Sequence, residues 1–286
     1  MSQKNRILLY LVITLSISYL YQVFITVVAP DIASEKFSNL ALILMYFPGV
    51  IAIVFTSIFK EGWSNLGLKI RRPIFWLYSL VIPLIITILL LVFIQLLGGE
   101  QKVFSMQGYN VSFLDKTPVS LVTFIPLFSL NFTVTACLTG IFTIGEELGW
   151  RGYLQNKMIQ VFGLIPGVVI LGLVWGYWHL PIILMGYNFP EYPILGALIF
   201  MPLTTIGFSL IFAWLTLSSK SIWPAVLGHG AINTLLSDSV IDRIEVPEKI
   251  LLYLLIVGLW LIAGIIAGIK LNSDYKSGKI QNLSFR

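Results

Sequence analysis

The stretch IFWLYSLVIPLIITILLLVFIQLL, residues 74–97, decides the fold, because it runs without one Asp, Glu, Lys, Arg or His. A transmembrane helix needs about 20 mainly apolar residues, so this run can cross a bilayer. Working outward, seven further stretches read the same way or nearly so: 7–29, 38–59, 121–145 (continuing as a more polar helix to 161), 164–185, 193–217, 221–237 and 250–269. The stretch 221–237 is short, which suits a helix tilted or partly shielded inside a bundle. The first run, Ile7 to Ala29, exceeds the about 7–15 residues of a signal-peptide apolar region. Pro30 and Asp31 follow it without a small-x-small cleavage site, so it reads as a retained span. The expected fold is all-α, a polytopic transmembrane helical bundle of about eight spans.

Composition agrees. Of 286 residues, 57% are hydrophobic and only 11% charged, with a mean hydropathy of +0.91. A soluble domain carries about 25% charged residues, so water is not the solvent for most of this surface. A net charge of +5 raises the question of nucleic acid. The basic residues sit in short loops, however, and form no patch on an amphipathic element, so no nucleic-acid partner is expected. With a cytoplasmic N-terminus, only Lys36, Lys102, Lys116, Arg243 and Lys249 fall outside, and the other thirteen Lys and Arg fall inside. That is the positive-inside bias; both termini are expected in the cytoplasm, in a multi-pass protein of the cell membrane. The single cysteine, Cys137, permits no intrachain disulfide and reads as a small core residue. Charge marks the loops Lys60 to Arg72, Glu100 to Lys116 and Asp238 to Lys249. With no repeat or linker, residues 1–270 read as one integral membrane domain, and 271–286 as a polar, mobile tail.

Hydropathy alone does not separate a channel, a scaffold and an enzyme; polar groups at membrane depth do. An ionisable side chain at a helix centre costs about 2.5–3.5 kcal/mol on insertion scales and is a functional candidate by default. Six of the eight apolar stretches hold none. The fifth holds His179 and the seventh His229, the only two histidines of the chain, and the fourth carries Glu146, Glu147 and Arg151 where its apolar run ends. Glu147 and Arg151 stand four apart and can pair on one helix face, leaving Glu146, about 100° around the helix, to face elsewhere. Trp175 precedes His179 by one turn, and His229 precedes Asn233 by another, with Gly228 and Gly230 leaving room for close approach. Each group alone also fits a plainer role: an amphipathic helix end, a packed histidine, an asparagine bonding a neighbouring helix.

Together they say more. With a turn at Gly163, Glu146 lies 17 residues before it and His179 lies 16 after it. At about 1.5 Å per residue, both reach nearly the same height on adjacent antiparallel helices. His229 matches that depth if the hairpin at Gly163 projects beyond the membrane.

These stretches resemble the CPBP family, which includes type II CAAX prenyl endopeptidases and bacterial bacteriocin-processing or immunity proteins. The family motifs EExxxR, FxxxH and HxxxN/D appear in order as Glu146-Glu147-x-x-x-Arg151, Trp175-x-x-x-His179 and His229-x-x-x-Asn233. WRGYL after the glutamates and PAVLGHGAIN around the last histidine add to the likeness, which covers about 119–237. Trp175 stands where the family usually has Phe. The resemblance implies an intramembrane endopeptidase acting on a membrane-associated peptide or protein, by CAAX-type or leader and propeptide processing. In it, Glu146 would activate a water that His179 helps hold, His229 and Asn233 would stabilise the oxyanion, and Glu147 with Arg151 would orient Glu146. No cofactor is expected. A zinc-dependent version would use Glu146, His179 and His229 as ligands with the fourth position open to water. A non-catalytic immunity or scaffold protein is a second alternative. A proton-relaying transporter is disfavoured, because the polarity clusters at one depth. Oligomeric state is not readable.

Overall fold

In a computed structural model the described residues are 1–98, 100–101, 121–236, 244–246, 248–280 and 285. Most of the loops expected at Glu100–Lys116 and Asp238–Lys249 lies outside them. The first helix, α1, spans Gln3–Val28 and is capped by Ser2, whose Oγ accepts from the Asn5 N–H. The second apolar run breaks into α2 (Glu35–Leu44, capped by Ser34) and α3 (Phe47–Ile58). The break falls at Met45 and Tyr46, just before Pro48, which offers no N–H to continue the ladder and here occupies the first turn of α3, a position that suits it. Helix α4 covers Ile74–Leu96.

Next, α5 (Leu121–Glu147) runs into a π-helical segment, Leu148–Leu154, and then α6 (Gln155–Phe162). Gly163, at φ 91°, makes the expected turn into α7 (Leu164–Trp178). The short helices α8 (Leu180–Leu184) and α9 (Pro193–Leu195) follow, and a π-helical turn at Gly196–Phe200 leads into α10 (Met201–Ser219). The last two are α11 (Trp223–Leu235) and α12 (Lys249–Lys276). The described residues also include a two-residue antiparallel pairing of Glu100–Gln101 with Ile244–Glu245.

All eight expected stretches are thus helical, and the protein is an all-α, polytopic membrane bundle. Among the described residues, six helices have the length and apolarity to cross a bilayer: Gln3–Val28, Glu35–Ile58, Ile74–Leu96, Pro126–Phe162, Pro193–Ser219 and Lys249–Lys276. The fifth stretch stops short because Pro181 ends α7 at Trp178, leaving 15 residues. The seventh has only 13, ten of them buried, so it is enclosed by other helices. Large apolar side chains cover the outside, with Leu20, Val27, Leu96 and Ile269 each more than two-thirds exposed. Cys137 is exposed too, a correction to its expected place in the core; a small apolar thiol fits a lipid-facing surface as well as an interior one. The polar tail also differs from expectation. Helix α12 continues to Lys276, and Ile280 and Phe285 are buried, the latter against Gly67.

Packing sets the height of α5. A Cβ on Gly145 would lie 2.5 Å from the Met45 carbonyl oxygen and 2.5 Å from the Tyr46 Cα. The corner between α2 and α3 therefore rests on bare backbone one residue before Glu146, and Tyr46 Oη donates to the Ile141 carbonyl at 2.7 Å. Nearly all of α10 is buried, between α7 and α12.

Candidate active site

Glu146 and Glu147 close α5, and the π-helical segment after them is buried throughout. Such segments often occur at functional sites. Here the wider turn still leaves Arg151 Nη1 3.0 Å from Glu147 Oε1, the pairing expected from their spacing, with both side chains wholly buried. Arg151 Nη2 also donates to Ser209 Oγ on α10 at 3.1 Å, and its guanidinium carbon lies 4.2 Å from the Trp175 ring centroid and 4.9 Å from that of Phe212. A buried charge needs such enclosure: removing one partner of a buried pair costs about 3–5 kcal/mol.

Helices α5 and α11 pack closely, with Gly230 against the Ala136 carbonyl and Thr143 Oγ1 donating to the Val226 carbonyl at 2.9 Å. That approach brings His229 beside the fourth-helix carboxylates. Its Nδ1 lies 2.9 Å from Glu147 Oε1. A carboxylate paired with arginine only accepts, so Nδ1 carries the proton. Glu147 thus accepts from both Arg151 and His229, a contact the spacing of residues in the chain does not reveal.

His179 occupies the corner between α7 and α8 rather than the middle of a helix. Its Nδ1 lies 2.9 Å from the Trp175 carbonyl oxygen, and a carbonyl only accepts, so again Nδ1 holds the proton. Gln22 of α1 completes this corner. Its Nε2 donates to the Trp178 carbonyl at 2.8 Å, and its Oε1 accepts the Ile182 N–H at 3.1 Å. These are the backbone groups that the break at Pro181 would otherwise orphan. Gln22 escaped the sequence reading, which weighed ionisable groups alone; the one amide in YQVFITVV was the available signal.

Glu146 is 2% exposed, and its Oε2 accepts the Trp175 indole N–H at 2.6 Å. The Trp175 ring meets His229 edge-on, centroids 5.3 Å apart. Glu146, Trp175, His179, His229 and Asn233 all line one cavity of about 380 Å³, whose remaining wall is largely apolar: Leu42, Met45, Phe189, Met201, Phe208 and Ile256 among others. Glu147 and Arg151 stand behind it. Of the six expected site residues, four therefore face a common space and two brace it. Among the described residues, no three His, Cys, Asp or Glu side chains converge closely enough to hold a metal ion. A larger, polar cleft of about 690 Å³ lies elsewhere, beside Arg6, Glu61 and Lys157, and contains none of these side chains.

Comparison with known proteins agrees with the motifs. Over 111 residues the chain is 30% identical to CAAX prenyl protease 2 of Methanococcus maripaludis, a stretch that covers 37% of this chain and 41% of that protein. The chain is thus matched to about two-fifths of the length of that relative. Residues 122–235 match the profile of the Rce1-like type II CAAX prenyl endopeptidases. These bounds fall within three residues of the 119–237 expected from the motifs and enclose every residue of the three. Over this central segment, about two-fifths of the chain, the protein is thus similar to the Rce1-like type II CAAX prenyl endopeptidases.

Proposed function

We propose that this protein is an intramembrane endopeptidase that hydrolyses a peptide bond of a membrane-associated protein or peptide with a water activated by Glu146. The observation that carries the reading is the shared cavity, whose wall includes a carboxylate, two imidazoles and an amide inside an apolar bundle. Trp175 engages Oε2 of Glu146, so Oε1 takes the proton as the water oxygen bonds to the peptide carbonyl carbon. With Nδ1 of His179 donated to the Trp175 carbonyl, the neutral ring offers the Nε2 lone pair to a water hydrogen and aims the attack. The carbonyl oxygen becomes an oxyanion, for which Asn233 is a donor in any protonation state. His229, whose Nδ1–H is given to Glu147, donates through Nε2 only as an imidazolium. When the tetrahedral intermediate collapses, the C–N bond breaks and the proton held by Glu146 passes to the departing amine. Nothing beyond water is consumed.

A CAAX-type or leader-processing substrate suits the largely apolar wall of the cavity and the relative named above. The distribution of Lys and Arg supports cytoplasmic termini and residence in the cell membrane. The test is mass spectrometry of membrane peptides from cells carrying wild type or Glu146→Gln. We expect the variant to fold and to lose about 10²–10⁴-fold in cleavage, the usual contribution of a general base. Identical peptide patterns would overturn the reading, and retained biological function would favour a non-catalytic binding or immunity role.

One observation supports a zinc-dependent version. Both imidazoles fix Nδ1 on an acceptor and leave Nε2, the arrangement common in metal-bound histidines. Glu146, His179 and His229 do not form a convergent ligand group, however, so no step is assigned to a metal. Activity that survives exhaustive chelation supports the glutamate mechanism; loss restored by added zinc reverses the choice.

A further inference from the structure

Trp175 touches four members of the site at once. Its Nε1–H donates to Glu146 Oε2 at 2.6 Å, and its carbonyl oxygen receives His179 Nδ1 at 2.9 Å. Its ring lies 4.2 Å from the Arg151 guanidinium carbon and meets His229 edge-on. It is 1% exposed, and neighbouring glycine fixes its place: a Cβ on Gly176 would sit 2.5 Å from the Pro202 Cα, so α7 lies directly on α10. A phenylalanine here would retain the ring face for Arg151 and the same backbone carbonyl for His179. The indole N–H would be lost together with the second ring, and Glu146 would lose its hydrogen bond from Trp175.

We propose that Trp175 is a positioning residue of this site: its indole N–H pins one oxygen of Glu146, so that the other is the oxygen that takes the proton from water. A buried carboxylate with no donor can rotate about its terminal torsion, where rotamer wells are broad; one charge-assisted hydrogen bond selects a single orientation. Because the same residue holds His179 through its carbonyl, the base and the imidazole beside it are referenced to one rigid aromatic group. The proposal rests on the hydrolytic reading for its consequence, but the hydrogen bond itself is measurable without activity.

The experiment uses the full chain in detergent micelles with tryptophan labelled at the indole nitrogen. Eight tryptophans give eight N–H resonances. The one absent from Trp175→Phe should lie at the strongly hydrogen-bonded end of the range and move toward the others in Glu146→Gln. An unmoved resonance overturns the proposal whatever the enzyme does. If Trp175→Phe fails to fold, Glu146→Gln alone decides, since a single indole resonance must move. The kinetic arm uses a prenylated CAAX reporter peptide in liposomes. Trp175→Phe should lower kcat roughly 10- to 100-fold, the scale on which small misplacements act, with KM within about twofold. Wild-type kcat in that variant overturns the proposal, as does a KM that rises while kcat holds. Full activity of Glu146→Gln would instead sink the hydrolytic reading, and the resonance would still report whether the indole holds the carboxylate.

Discussion

Two glutamates in this molecule each bridge two basic groups, and only their surroundings differ. Glu61 accepts from Arg6 at 3.0 Å and pairs with Lys157 at 2.7 Å, with its own side chain 11% exposed and that of Arg6 30% exposed. It ties α1 to α6 beside an open polar cleft. Glu147 pairs with Arg151 at 3.0 Å and His229 at 2.9 Å, and its side chain has no exposure at all. It ties α5 to α11 directly behind the cavity. The first bridge is screened and replaceable by water. The second has no water to replace it, so each partner is needed to keep the others neutralised. The same three-group pattern is a surface clasp in one place and the floor of a site in the other.

The sharpest way to break this comparison is Arg151→Met. It leaves Glu147 buried with His229 alone and should cost about 3–5 kcal/mol, read as a fall in the denaturation midpoint in detergent. Pairing it with Glu147→Gln should recover part of that loss, because no uncompensated charge then remains. If Arg151→Met proves as mild as a surface change, the buried cluster is not the brace described. An intermediate effect is expected at Gln22→Leu, which leaves the Trp178 carbonyl and Ile182 N–H unpaired at the His179 corner. About 1–3 kcal/mol should be lost, with kcat reduced more than stability alone explains, since the backbone on either side of His179 loses its anchor. Unaltered kcat at a temperature where the variant is folded would show that Gln22 only packs. The smallest effect belongs to Glu61→Gln. At this partly exposed bridge the change should stay within about 1 kcal/mol and leave kcat within about twofold. The stability difference should shrink further in high salt. A large loss there would erase the distinction between the two bridges.

Much of the fold was legible because its signals are local. An apolar run of sufficient length is a property of neighbours along the chain, and so are the spacing of Glu147 and Arg151 and the turn at Gly163 that brings Glu146 and His179 to one height. The breaks at Met45–Tyr46 and His179 were legible in part, through Pro48 and Pro181, but long apolar runs masked them. The site was less legible. Trp175 read as a larger packing aromatic in place of Phe, yet its N–H proves to be a partner of Glu146. Ser209 and Gln22 sit in apolar stretches where a lone polar residue has many plain explanations. The contact between Glu147 and His229, 82 positions apart, left no local trace.

The chain by itself determined that this is a helical membrane bundle, which polar side chains lie at its heart and which family they resemble, because hydropathy, helical spacing and motif order are written along one dimension. Only the tertiary structure decided that four of those side chains face one cavity while two stand behind it, and that an indole rather than solvent holds Glu146. Those outcomes depend on how far each helix is rotated about its own axis, and that rotation is set where bare glycine backbone lets α3 meet α5, α5 meet α11 and α7 meet α10.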